Sequence, residues 1–101
     1  MKKFTLYIGL NDKDTKTQKI PLSKARDIIY DTLFDYGIKG FTVYHARGVW
    51  QYEDESVSEE NTFIVEILGT VLPDGIIPSI KDLLNQESIG LSEEWIEVKF
   101  L

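Results

Sequence analysis

Side chains suited to holding a small anionic ligand are concentrated between residues 39 and 52. Arg47 precedes Gly48, and a guanidinium at such a bend can grip a phosphate or carboxylate through two parallel hydrogen bonds. Trp50 and Tyr52 follow, and aromatic planes beside an arginine suit stacking on a nucleobase. The alternatives are an ion pair between Arg47 and one of the many carboxylates, and packing of the two rings in a hairpin or a subunit interface.

The acidic run over residues 53–60 is a second candidate site. Two carboxylates can divide acid and base roles only where burial or close like-charge contact separates their pKa values, and a loop tip offers neither. We therefore interpret the run as a solvated loop or as a surface for a basic protein partner. In the second interpretation the contacting residues are Glu53, Glu55 and Glu59.

Groups that would mark a catalytic or metal site are few. His45 is the single histidine, cysteine is absent, and there is no Gly-x-Ser-x-Gly motif. Asp12 and Asp14 look like the start of a calcium loop, but the glycine and the acidic residue that such a loop requires further on are missing. The sequence thus predicts a protein that is not an enzyme, without catalytic residues, metal or cofactor. The same polar loop is either solvated or a lid whose lysines meet an anionic ligand: Lys13, Lys16 and Lys19.

Composition limits the partners of this chain. It has 101 residues, 43% of them hydrophobic, which fits one globular domain over residues 1–101. Its net charge of −6 disfavours direct binding to nucleic acid, whose phosphate backbone attracts lysine and arginine. No apolar stretch approaches the roughly 20 residues needed to cross a membrane. The absence of cysteine fits a reducing compartment, so we expect a cytoplasmic protein.

Hydrophobic periodicity predicts six elements that would position these side chains. Alternating residues indicate strands, and apolar residues three or four apart indicate helices. Ser23 is a suitable N-cap for the first helix, Gly37 a suitable stop, and Gly48 suggests a bulge. In order, the elements are a strand over 4–10, a helix from Ser23 to Tyr36, a strand over 41–47, a strand over 62–68, a helix opened by Pro73 with its apolar stripe over 76–84, and a strand over 95–101.

This β-α-β-β-α-β order predicts a ferredoxin-like α+β fold, with a four-stranded antiparallel sheet and two helices on one face. The third predicted strand is apolar on both faces, with Phe63, Val65 and Ile67 on one and Ile64 and Leu68 on the other. A sheet facing water should be polar on its open side. We therefore expect another subunit to cover the helix-free face, in a homo-oligomer.

Segment 37–48, Gly-Ile-Lys-Gly-Phe-Thr-Val-Tyr-His-Ala-Arg-Gly, resembles the PII signalling proteins where their first helix ends and their second strand runs toward the T-loop. A glycine pair, a Thr-Val and a basic residue before glycine recur there. Residues 63–67 are similar to their third strand, and Leu72-Pro73-Asp74 is similar to the start of their second helix. The resemblance covers roughly residues 24–85 in order and spacing.

The resemblance implies a trimer whose sheets line a central space and whose nucleotide clefts lie between subunits. It implies that Thr42, Arg47 and Gly48 face the cleft, with Lys39 close by. The acidic loop is far shorter than a T-loop and no basic residue follows Lys99, so ATP binding of the usual PII kind is not implied. In style, the short acidic chain is similar to phage and mobile-element proteins, including sponges that sequester nucleotide immune signals.

Two functional hypotheses remain open. In the first, a homotrimer senses or sequesters a small nucleotide-like or anionic ligand at subunit clefts, as a phage anti-defence sponge would. In the second, an acidic interaction module covers the basic surface of a nucleic-acid-binding defence protein through the acidic run. The ligand-binding residues of the first hypothesis are Arg47 and Lys39 for charge, Thr42 and the Gly48 backbone for hydrogen bonds, and Trp50 and Tyr52 for stacking.

Overall fold

The alternating residues near the N-terminus form strand β1, Lys2–Gly9, in a computed structural model that describes all 101 residues. Phe4, Leu6 and Ile8 are buried, because successive side chains of a strand point to opposite faces and these three point toward the helices. Tyr7 lies on the other face and is 46% exposed. Strand β1 therefore has one face in the core and one face outside it.

Three further strands complete the sheet: β2 (Thr42–Gln51), β3 (Val57–Gly69) and β4 (Gly90–Trp95). Their order across the sheet is β2-β3-β1-β4, and every neighbouring pair is antiparallel. Along the chain the elements follow the order β-α-β-β-α-β. The predicted ferredoxin-like α+β fold is confirmed.

Helices α1 (Leu22–Asp35) and α2 (Ile76–Leu83) cover one face of the sheet. Pro21, rather than Ser23, occupies the N-cap position of α1. Pro78 lies in the first turn of α2, where a missing N–H leaves no hydrogen bond unmade. Neither helix is long and apolar enough to cross a membrane. Together the helices and strands bury one core of 13 residues: Phe4, Leu6, Ile8, Leu10, Ala25, Ile29, Leu33, Phe63, Val65, Ile67, Ile76, Ile80 and Leu84.

The β2–β3 hairpin is longer and more regular than predicted. Pairing is unbroken over all ten residues of β2, so Gly48 makes no bulge. Strand β3 begins at Val57, whereas the sequence predicts a loop as far as Asn61. Polar residues can occupy a two-stranded ribbon as readily as a loop, because backbone hydrogen bonds hold the ribbon together. The predicted acidic loop is thus reduced to a short turn after Gln51.

Strand β4 lies earlier in the chain than the sequence predicts. The prediction was a strand over 95–101, but the strand that pairs with β1 is Gly90–Trp95. Strand β1 begins at Lys2, opposite Trp95, so the residues that follow have no strand beside them. Their apolar and polar side chains alternate as in a strand, but after the hydrogen bond from the Ile96 N–H to the Met1 carbonyl at 3.0 Å no ladder continues, and Phe100 is 82% exposed.

The helix-free face of the sheet is only partly polar. Tyr7, Tyr44 and Leu68 are all at least 39% exposed on it. The Tyr44 hydroxyl donates to a Glu66 oxygen at 3.1 Å, and this hydrogen bond is the main cause of a raised pKa for the phenol. The sheet therefore presents aromatic and apolar surface on the side that the helices leave open.

Candidate ligand-binding groove

A groove crosses the helix-free face at the end of the sheet where β1 leads into its following loop. Its volume is about 790 Å³, within the range of small-molecule sites. Strands β1, β2 and β3 form its floor, loop 11–16 and turn 86–88 form one wall, and the β2–β3 hairpin forms the other. This feature is named the open-face groove.

Glu60 supplies the carboxylate on the floor of the open-face groove. It lies on β3 opposite Gly48, and its carboxylate lies across Gly9 of β1, where any Cβ would overlap it. The backbone N–H of Asn11 donates to Glu60 Oε2 at 2.9 Å. Glycine at position 9 therefore makes room for an acid group that a larger residue would displace.

Aromatic rings border the groove on its floor and hairpin sides. Tyr7, Trp50 and Tyr52 all line it, and Trp50 is 67% exposed. Rings with free faces can stack on a nucleobase or attract a cation. Beneath them, a Cβ at Gly48 would lie 2.7 Å from Thr62 Oγ1, so strands β2 and β3 are in close contact on this face.

The wall formed by loop 11–16 is built around Asp12, which is 8% exposed. Its Oδ2 accepts a hydrogen bond from Asn85 Nδ2 at 2.8 Å. Its Oδ1 accepts from the backbone N–H groups of Asp14 at 2.9 Å and Thr15 at 3.1 Å. These bonds, led by the one from Asn85, lower the pKa of Asp12 to about 2. The wall is therefore organised by an ionised carboxylate.

The turn after α2 ties this wall to the rest of the molecule. The Asn85 carbonyl accepts from the Lys13 N–H at 3.0 Å, and the Gln86 side chain donates to the Asn11 carbonyl at 2.9 Å. Asn85 has a φ of 48°, a conformation that asparagine tolerates. Segments 73 positions apart in the sequence are thus joined by hydrogen bonds through side chains and backbone.

Three of the six predicted ligand-binding residues line the open-face groove: Gly48, Trp50 and Tyr52. Thr42 is the first residue of β2, at the opposite end of that strand from Trp50, and pairs with Glu66. Lys39 precedes the strand. Neither Thr42 nor Lys39 lines the groove.

Arg47 points to the other face of β2 from Gly48, because neighbouring residues of a strand alternate. Its guanidinium lies 3.3 Å from Glu59 Oε2 and 3.2 Å from Asn61 Oδ1, so it takes part in the ion pair that was the alternative interpretation. Of the predicted partner-binding residues, Glu59 is therefore engaged with Arg47. Glu53 and Glu55 lie at the hairpin tip and are exposed.

Sequence reasoning missed Tyr7 and Glu60 as site residues. Tyr7 was given no role, and Glu60 was placed in the acidic run over 53–60, which was interpreted as a solvated loop or a surface for a basic partner. A strand that started earlier would have identified Glu60, because counting back in twos from Ile64 leads to Thr62 and then Glu60. The contribution of Asn85 has no such periodic signal.

The sequence matches no family model and no curated protein. Its fold is similar to that of a phage SAM lyase in complex with S-methyl-5'-thioadenosine, at a TM-score of 0.65 and 19% identity over 92% of this chain and 79% of that chain. It is also similar to the GlnK–ATP complex of B. subtilis, at a TM-score of 0.58 and 15% identity over 93% of this chain and 84% of that chain. A DUF3240-family protein from Shewanella baltica has a similar fold, at a TM-score of 0.52 and 13% identity over 99% of this chain and 94% of that chain. A PII-like ferredoxin-like fold is thereby shown.

The prediction that the protein is not an enzyme is contradicted by these similarities. It rested on the absence of a nucleophile, a general base and a metal cluster. Two of the similar structures are of phage SAM lyase, which is an enzyme, at 19% and 21% identity. A chain of this fold can therefore be an enzyme, and missing motifs do not exclude catalysis.

Proposed function

We propose that the protein is an enzyme of the lyase type that binds a sulfonium nucleoside of the SAM (S-adenosylmethionine) class in the open-face groove. The observation that carries this proposal is the Glu60 carboxylate, held by the Asn11 N–H over Gly9 in a groove bordered by aromatic rings. Carboxylates and aromatic faces are the groups that attract an organic cation. The similarity in fold to phage SAM lyases supports the same ligand class.

The charges in the groove favour a cation-containing ligand over a triphosphate. Three acidic residues and two lysines line it: Asp12, Glu60, Glu87, Lys13 and Lys16. A triphosphate would meet this excess of carboxylates, and Arg47, the predicted phosphate ligand, is paired with Glu59 on the other face of β2. The ligand proposed here therefore differs from the nucleotide-like or anionic ligand that the sequence predicts, because it is a nucleoside with a positive charge at sulfur.

A lyase step on such a ligand breaks the bond between the sulfonium sulfur and the amino-acid side chain. Both electrons of that bond stay on sulfur, which leaves as the neutral thioether S-methyl-5'-thioadenosine. The carbon left by sulfur gains a new bond from within the substrate. Either Glu60 takes a proton from the neighbouring carbon, whose C–H electrons form a C=C bond, or the substrate's own carboxylate attacks and forms a lactone. No water is consumed, so the step requires no activated water.

Incubation of the purified protein with SAM, followed by chromatography of the products, tests the proposal. S-methyl-5'-thioadenosine is expected to accumulate. Glu60→Gln keeps the size of the side chain but removes its charge, and should lower the rate by roughly 100-fold or more. Glu53→Gln, which removes a charge from the same hairpin outside the groove, should leave the rate unchanged. Intact SAM together with no binding heat in calorimetry would contradict the proposal.

The proposal includes a homo-oligomer, taken as a trimer, in which each copy is one ferredoxin-like domain over residues 1–101. The exposed Tyr7, Tyr44 and Leu68 support it, because a second copy against the helix-free face would bury them. The same contact would close the open-face groove and exclude water from the reaction. Light scattering should give the mass of three chains. A monomer at micromolar concentration would overturn the proposed trimer.

Consumption of SAM would deprive methyltransferases of their methyl donor. This links the groove to the anti-defence role predicted from the style of the chain. Coexpression with a SAM-dependent DNA methyltransferase should reduce DNA methylation, and the Glu60→Gln variant should restore it. Full methylation in the presence of active protein would count against the link.

The hairpin tip supports a second candidate function, binding of a basic protein. Glu53 and Glu55 are exposed there, and Asp54 Oδ1 accepts from the Ser56 N–H at 2.9 Å, which orders the turn. Hydrogen bonds from Ser56 lower the pKa of Asp54, so the tip is reliably acidic. Reversal of Glu53 and Glu55 to lysine should release such a partner while SAM turnover persists.

A further inference from the structure

The backbone at Lys16 adopts a conformation that lysine disfavours. Its φ is 61°, in the left-handed region where a Cβ crowds the neighbouring carbonyl. The Lys16 N–H donates to the Asp12 carbonyl at 2.8 Å, and Asp12 is itself anchored by Asn85. Glycine would adopt this conformation more readily. The backbone therefore gives no reason for a lysine at this position.

Lys16 lines the open-face groove together with one more cation, Lys13. Of the three anions there, Asp12 and Glu60 accept hydrogen bonds from Asn85 and Asn11, which leaves Glu87. Lys13, Lys16 and Glu87 also line a second cavity of about 460 Å³ that continues past loop 11–16, and this cavity has no hydrophobic lining residue. None of the three charged groups takes part in an ion pair within the chain. Charges of both signs are therefore free at the meeting point of the two cavities.

A charged pair of this kind matches the two charges of an α-amino acid group. Such a group presents a carboxylate, which an ammonium attracts, beside an ammonium, which a carboxylate attracts. A phosphate or a simple carboxylate would be opposed by Glu87, whereas a zwitterion is complementary to Glu87 and the lysines together. The apolar rings and Glu60 lie elsewhere in the groove, where a nucleoside and its sulfonium are proposed to bind.

We infer that loop 11–16 forms an α-amino acid subsite of the open-face groove, in which Lys16 determines specificity by holding the ligand carboxylate while Glu87 holds its ammonium group. The inference rests on the proposed function, since it assigns the amino-acid end of the same ligand class. The hydrogen bonds from the Asn85 side chain to Asp12 and Asp14 keep the subsite in place. Lys13 adds to its positive potential.

Calorimetry with two compounds that a lyase does not cleave tests the subsite. Sinefungin carries the α-amino acid group and has an amine-bearing carbon in place of the sulfonium, and S-methyl-5'-thioadenosine lacks the amino-acid end. Lys16→Gly should weaken sinefungin binding by about tenfold or more, because a hydrogen bond to a charged group is lost. The affinity for S-methyl-5'-thioadenosine should change by less than about twofold.

The controls separate this subsite from the proposed function and from folding. Lys19→Gly makes the same change three positions further along the chain, outside loop 11–16 and outside the groove, and should leave both affinities unchanged. The midpoint of thermal unfolding of Lys16→Gly should equal or exceed that of the unaltered protein, because glycine suits the backbone. If the unaltered protein binds neither compound, the proposed function fails and the subsite fails with it. If it binds both, and Lys16→Gly weakens both equally or neither, the subsite alone is overturned.

Discussion

The two walls of the open-face groove are held by different kinds of contact. The wall over 11–16 depends on side chains, because Asp12 and Asn85 are hydrogen bonded across 73 positions of sequence. The opposing hairpin depends on backbone pairing between β2 and β3, and its groove-lining Trp50 is largely exposed. One wall is thus fixed by particular residues, and the other by regular structure.

The two walls should therefore differ in how rigidly they hold a ligand. A wall anchored through buried polar groups holds the backbone at Lys13 and Lys16 in one arrangement, because moving it would break the hydrogen bonds from these two N–H groups to the Asn85 and Asp12 carbonyls. A ribbon with few buried side chains opens locally at a lower free energy than the core does. We therefore expect the charged end of a ligand to be selected at the loop wall, and the hairpin to adjust around the remainder.

Asn85→Ala should have the largest effect on stability, because it removes the anchor of the loop wall and leaves the hairpin wall intact. It removes the hydrogen bond to Asp12 and places alanine at a φ of 48°, so the free energy of unfolding should fall by about 2 kcal/mol. Urea denaturation measures this loss. Asn85→Gly removes the same hydrogen bonds without the backbone penalty, and should be the more stable of the two variants. Equal stability of Asn85→Ala and the unaltered protein would show that the wall does not depend on this residue.

Acid should weaken the loop wall before the hairpin. The pKa of Asp12 is lowered from 3.8 to about 2, so its contribution to stability is complete above pH 3.8 and is lost as the pH falls toward 2. Hydrogen exchange at pH 5 and at pH 2.5 should show loop 11–16 losing protection ahead of the β2–β3 ladder. Asp12→Asn should be less stable at pH 7 and show a shallower decline in acid, whereas Asp27→Asn, an exposed acid on α1, should retain the full decline.

Gly48→Ala tests how closely the hairpin strands approach. An added Cβ would lie 2.7 Å from Thr62 Oγ1 on a β-branched side chain that has little freedom to move. We expect the free energy of unfolding to fall by about 1 kcal/mol, measured by urea denaturation. The double variant with Thr62→Ala should recover part of the loss. If the double variant recovers no stability, the loss in Gly48→Ala comes from the backbone of β2 and not from contact with Thr62.

Trp50→Ala should have the smallest effect on stability, because the hairpin wall is held by backbone pairing and not by this side chain. The ring is 67% exposed, and its removal should change the free energy of unfolding by less than about 0.5 kcal/mol. The affinity for S-methyl-5'-thioadenosine should nevertheless fall by about tenfold, because a stacking surface is lost. A control is Val71→Ala, which alters an exposed residue outside the groove and should leave the affinity unchanged. An unaltered affinity for Trp50→Ala would exclude that ring from the site.

Local periodicity was enough to predict the fold but only part of the candidate site. The alternation of Phe4, Leu6 and Ile8 identifies β1 and its buried face. The residues after Trp95 alternate equally well, yet only a paired backbone makes a strand, and β1 offers no partner there. Pairing of that kind is not visible in a single segment.

Arg47 and Gly48 show a second limit. They are adjacent in sequence and were expected to act together, but a regular strand turns them to opposite faces, where Arg47 meets Glu59. The expected bulge would have changed that orientation. Asn85 shows a third limit, because its bond to Asp12 joins two loops whose polar residues resemble any solvated turn. Trp50 and Tyr52 were predicted as site residues because aromatic planes beside an arginine suit stacking on a base. Both line the groove, although Arg47 does not.

The central position of β1 has a consequence for the kinetics of folding. Lys2 pairs with both Gly69 and Trp95, so each partner of this strand is separated from it by most of the chain. Closing such long segments costs conformational entropy before any contact compensates for it, and topologies of high contact order fold slowly. During translation β1 is made long before β3 and α2, so we expect Leu6 and Ile8 to stay exposed until these later core elements have emerged.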